Sequence, residues 1–140
     1  MKTYIEFKSE NFPPYDDEIE ELGPGRWGKR LAEFLSDRLK SNGIEVLDIF
    51  SEDWGWVIPI ANDDFKLWIG CGNYVEYDNG FLCFVEPSKP YVKHFLKKIS
   101  TVDKVQSIVN ILESIISSES GTRDIRWWTP EEFNSPVLQQ

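Results

Sequence analysis

Histidine and cysteine are scarce in this chain: one histidine and two cysteines occur in 140 residues. A structural zinc site needs about four clustered Cys, His or carboxylate ligands. His94, Cys71 and Cys83 do not supply one, so no metal is expected. The cysteines lack C-x-x-C spacing and sit in apolar segments, which suits free thiols in a reducing compartment. No apolar run approaches the roughly 20 residues of a membrane span, so no membrane partner is expected. Residues 1–8 alternate and carry charge, which reads as a strand rather than a secretory leader and sets the expected location as cytoplasmic. Basic charge is also short. Fifteen Lys and Arg against 24 Asp and Glu leave a net charge of −9, which repels phosphate backbones and argues against nucleic acid. It suits a basic protein partner, whose approach it would steer, or it serves solubility alone. Walker and dinucleotide glycine spacings are missing, and no cofactor is expected.

What is present predicts one α+β domain over residues 1–134 with a frayed tail at 135–140. Residues 3–8 alternate as a strand. Pro13-Pro14 breaks regular structure, and the acidic run from Asp16 to Glu21 reads as a solvated loop. After Gly23-Pro24-Gly25, the stripe Trp27, Leu31, Phe34, Leu35 and Leu39 predicts a helix, ended by Asn42-Gly43. Strands are expected over 44–49, 54–60, 65–71 and 81–85, with Pro59 at an edge or bulge and a hairpin turn at Tyr77-Asp78-Asn79-Gly80. Ser88 and Pro90 read as the start of a short lysine-rich helix over 89–98. Val102, Val105, Ile108, Val109, Leu112, Ile115 and Ile116 predict a longer helix. Thr129-Pro130-Glu131-Glu132 has the form of a capped turn. The expected fold is a two-layer, mainly antiparallel five-stranded sheet with amphipathic helices on one face. Its first strand is free to run parallel to a neighbour, since a helix follows it.

Catalytic groups are weak. Gly70-Cys71-Gly72 places a thiol between glycines, but a nucleophile needs a base, and no pattern joins His94 to Cys71. A small core residue is the simpler reading. The adjacent pairs Glu52-Asp53 and Asp63-Asp64 point apart in strands or into solvent in turns. The glycine-rich stretch 23–28 before a helix suits either an anion site or a tight entry turn, and the acidic run upstream favours the turn.

The aromatic clusters carry most of the information. Asp53-Trp54-Gly55-Trp56 places two indoles on one expected strand face, and Trp68 and Tyr74 follow nearby. Arg126-Trp127-Trp128 sets two indoles beside a guanidinium; neighbours in sequence cannot easily share one core. These rings either fill the interior or line a recognition surface, where Trp and Arg are enriched. The segments from Glu52 to Trp56, Leu67 to Tyr74, Gly80 to Pro87 and Ile125 to Thr129 resemble a family of small uncharacterised bacterial proteins. The resemblance implies a bacterial, cytoplasmic setting and no functional residue. The functional expectation is a non-enzymatic protein-binding domain, as an inhibitor or immunity-type partner of a basic protein. The alternative is a small-molecule sensor or enzyme with a groove of Trp54, Trp56, Trp68 and Tyr74, served by Asp53 and Cys71. A self-associating subunit is the third.

Overall fold

The structure is a computed structural model and describes residues 1–23, 25–74 and 79–134. The expected frayed tail, and Tyr77 and Asp78 of the expected turn, lie outside the described residues.

Strand β1 (Tyr4–Lys8) is followed by a short helix α1 (Glu18–Leu22) and then α2 (Lys29–Ser41). Strands β2 (Phe50–Glu52), β3 (Gly55–Ile60), β4 (Leu67–Asn73) and β5 (Gly80–Glu86) come next. A hairpin of β6 (Tyr91–His94) and β7 (Lys97–Ser100) precedes α3 (Val102–Ser118), β8 (Arg123–Trp128) and α4 (Pro130–Phe133). The main sheet runs β2-β3-β4-β5-β1-β8, and every pairing in it is antiparallel.

The α+β class and the antiparallel sheet hold, but the sheet has six strands and not five. The extra edge strand is β8, where Trp127 and Trp128 lie. The expected strand at 44–49 reduces to one bridge, Val46 to Ile60, and pairing begins at Phe50 instead. β1 is not parallel to anything: β5 and β8 flank it, both antiparallel. The lysine-rich segment is a hairpin in a separate two-stranded sheet, not a helix. Val92, Phe95, Leu96 and Ile99 have helical spacing, but the two middle ones occupy the turn and are fully in solvent, so no buried stripe rewards a helix.

The core follows from strand alternation. Ile5 and Phe7, Trp56, Ile58 and Ile60, Leu67, Ile69 and Cys71, and Phe81, Cys83 and Val85 are all buried in one cluster. Leu31, Leu35 and Leu39 of α2 and Val105, Ile108, Leu112 and Ile116 of α3 join them. These helical residues recur every three to four positions, which puts them on one face of each helix. Fully burying one such side chain stabilises the fold by roughly 1.5–3 kcal/mol.

Candidate binding site

The opposite side of the sheet is built from the alternate residues. Tyr4, Phe84, Gly70 and Val57 are register partners across β1, β5, β4 and β3. Gly70 has no side chain there, and the Phe84 ring takes the space: a Cβ on Gly70 would lie 2.3 Å from Phe84 Cζ. Trp54 packs on Phe84 with ring centroids 5.3 Å apart and tilts against Trp68 at 6.2 Å. Trp68 meets Phe84 edge-on at 5.6 Å. Tyr4 stacks on Phe84 at 5.3 Å, and Phe133 stacks on Tyr4 at 4.8 Å. Phe133 is delivered by α4, whose first turn is held by a capping box between Thr129 and Glu132. One aromatic run therefore crosses the sheet, in the order Trp68, Trp54, Phe84, Tyr4, Phe133.

Trp54 is the exposed member of this run, 42% accessible, and the other four are half-buried. It stands in the two-residue turn between β2 and β3, closed by the pairing of Glu52 with Gly55. Gly55 and Gly72 let that turn press onto β4. A Cβ on Gly55 would sit 2.4 Å from the Cys71 carbonyl oxygen, and one on Gly72 would sit 3.0 Å from the Trp54 carbonyl oxygen. On one side of Trp54 lies a groove of about 1070 Å³. Leu47, Phe50, Val57, Pro59 and Trp68 supply its apolar wall, Glu52, Asp63 and Asp64 its carboxylates, and Lys66 and His94 its basic groups. On the other side, Trp54 shares a hollow of about 290 Å³ with Tyr74, Phe84 and Phe133.

The residues singled out from sequence divide between the two faces. Trp54, Trp68 and Tyr74 meet around the groove and hollow. Asp53 is exposed in the same turn, and its carbonyl oxygen accepts from Arg26 Nη1 at 2.8 Å. Trp56 is not beside Trp54. It is buried in the core, because alternation holds only within β3 and Trp54 precedes that strand in the turn. Trp127 and Trp128 are both half-buried and also diverge. Trp127 packs against the core and its Nε1 donates to Glu113 of α3, whereas Trp128 Nε1 donates to Glu6 at 3.1 Å. Arg126 is exposed beside a separate hollow with Glu6, Lys8 and Asp124.

Cys71 is not part of the groove. It is wholly buried on the helix-covered face, opposite Cys83 in register. Burial, and then the neighbouring Cys71, push the Cys83 thiol well above its usual range. His94 is exposed on β6, so the chain's one histidine does not serve this buried pair. Burial, reinforced by Glu86, likewise raises the Tyr4 phenol.

Sequence reasoning missed Glu18. It is 1% exposed, not solvated. Its Oε2 accepts from the backbone N–H of Gly28 and of Lys29, each at 3.0 Å, and from Trp56 Nε1 at 3.1 Å. Its Oε1 accepts from the Tyr15 backbone N–H at 2.9 Å. The N-terminus of α2 is thus an anion site filled from within, which settles the reading of the glycine-rich entry. Phe84, Tyr4, Phe133 and Phe50 were also missed as surface residues. The one available signal was Gly70 within an otherwise bulky strand, which marks a close approach of another group.

Among the described residues, no three His, Cys, Asp or Glu side chains converge as metal ligands. No helix among them is long and apolar enough to cross a membrane. No protein family, curated protein or solved structure matches this chain.

Proposed function

We propose that this chain is a non-enzymatic recognition domain that binds a basic protein, in the manner of an inhibitor or immunity-type partner. The observation that carries this reading is Trp54, the exposed member of an aromatic run, beside a groove rimmed by Glu52, Asp63 and Asp64. Three carboxylates against Lys66 give that groove an excess of negative charge. A lysine or arginine entering it would meet carboxylates at the rim and indole faces on the wall, which attract cations within about 6 Å. The two long helices, α2 and α3, pack on the other face of the sheet and leave Trp54 exposed here. A cytoplasmic setting would keep Cys71 and Cys83 reduced. The whole-chain charge of −9 speeds the approach of a basic partner.

A small-molecule site has less support. The groove is wide for a drug-sized ligand, and the one nucleophile considered for it, Cys71, lies on the far face of the sheet.

The test is copurification from the host of the full chain, of Trp54→Ser and of Asp63→Lys/Asp64→Lys. The expected partner is basic and is lost with both variants. A partner of acidic charge, or one retained by both variants, overturns the reading.

A further inference from the structure

Residues 87–102 hold Lys89, Lys93, His94, Lys97 and Lys98 and not one Asp or Glu, in a chain whose net charge is −9. This segment forms the β6–β7 hairpin, whose ladder is separate from the main sheet. Its two-residue turn carries Phe95 and Leu96, with relative exposures of 89% and 101%. Phe95 has a φ of 56°, a left-handed conformation that a bulky side chain rarely adopts. The Phe95 ring touches only the edge of its neighbour His94, at 4.6 Å between centroids, among the ring contacts of the described residues, and the apolar tip stands in solvent on a cationic stem.

We propose that a second copy of this chain receives this hairpin in its aromatic groove, in a reciprocal two-fold dimer. The proposal rests on reading the groove as a receptor for cationic segments. The two surfaces are complementary in both respects: Phe95 and Leu96 match the wall of Phe50, Leu47 and Trp54, and the lysines match Glu52, Asp63 and Asp64. Their placement fits a two-fold axis. His94, at the end of β6, also lines the groove, so hairpin and groove lie side by side on one face. An isologous interface requires this adjacency, because each copy must give and receive across the same axis. The hairpin does not fill its own groove, since its tip stays in solvent. An anionic lipid surface fits the tip less well, because the chain as a whole is repelled by it. The dimer would keep the groove covered until a basic protein displaces the hairpin.

Sedimentation velocity of the full chain, from micromolar to several hundred micromolar, tests this. The expected result is a monomer–dimer equilibrium that weakens about tenfold or more in Phe95→Ser/Leu96→Ser and in Asp63→Lys/Asp64→Lys. All four positions are exposed, and urea unfolding checks that each variant is folded. Mixing the two variants restores a heterodimer through the single remaining hairpin–groove contact. A wild-type chain that stays monomeric, a hairpin variant that dimerises like wild type, or hairpin-dependent binding to phosphatidylserine vesicles without a dimer overturns the proposal. A monomer that still captures a basic protein through Trp54 removes the dimer alone. A dimer without such a partner removes the functional reading alone.

Discussion

The Trp56 indole nitrogen donates to the Glu18 carboxylate at 3.1 Å, joining strand β3 to the start of α1. The same oxygen takes the Gly28 and Lys29 amides, so one buried side chain fixes a strand, a helix N-terminus and the acidic segment before it. Glu18→Ala leaves three backbone donors, of Tyr15, Gly28 and Lys29, and the Trp56 indole donor without their acceptor in a buried or half-buried site. The expected loss in urea unfolding is about 3 kcal/mol or more. Trp56→Phe keeps the ring and removes one donor, and is expected to cost less. Equal stability of Glu18→Ala and wild type would contradict this junction.

Gly70 is the seat of the aromatic run. Gly70→Ala places a methyl where Phe84 now lies, and Phe84 carries both Trp54 and Tyr4. Overpacking of this kind costs roughly 1–3 kcal/mol. Tryptophan fluorescence should shift with it, as Trp54 and Trp68 lose their common support. An unchanged emission spectrum would show that Phe84 does not organise the cluster.

Glu86 and Glu10 should respond to pH in opposite directions. Burial raises the Glu86 carboxyl, against hydrogen bonds from Ser88 that lower it. The folded state therefore holds the Glu86 proton more tightly, and stability falls as pH rises from the unfolded value through the raised folded one. The Arg123 hydrogen bond, then that of Asn79, lowers Glu10. Its contribution is complete above the unfolded value and is lost as pH falls through the lowered folded one. Across that acid range, Glu86→Gln should flatten the decline with rising pH, and Glu10→Gln should flatten the rise. Unfolding curves at a series of acid pH values check both signs.

Cys71 and Cys83 should resist thiol reagents in the native state. Both are fully buried, and the raised Cys83 thiol stays protonated at pH 8. Labelling by a disulfide reagent should therefore follow the opening of the fold and accelerate sharply in denaturant. Rapid labelling of either thiol without denaturant would show an access route to the core.

Much of the architecture was legible because periodicity reports burial directly. The stripe Leu31, Leu35, Leu39 and the longer one from Val105 to Ile116 identify α2 and α3. The alternation in β1 and β3 fixes which side chains enter the core. What failed was whatever depends on partners distant in sequence. Glu18 looks like its acidic neighbours, and only its distant indole and amide donors explain its burial. Trp54 and Trp56 obey strand spacing on paper, but a tight turn separates them. The β6–β7 segment has a helical pattern, but two of its four apolar members, Phe95 and Leu96, stay in solvent. At the site, Trp54, Trp68 and Tyr74 were found by residue type. The rings that support them, Phe84, Tyr4 and Phe133, come together only through the order of the strands.

That order has a consequence for how the molecule is made. β1 lies between β5 and β8, and the bond from Trp128 to Glu6 spans 122 residues of chain. During translation β1 emerges long before β8, and the flank that β8 will cover stays bare until residues 123–128 clear the ribosome. Closing so large a loop is entropically slow. For that interval the open flank is a template for intermolecular pairing, and the nascent chain is exposed to aggregation until β8 has paired with it.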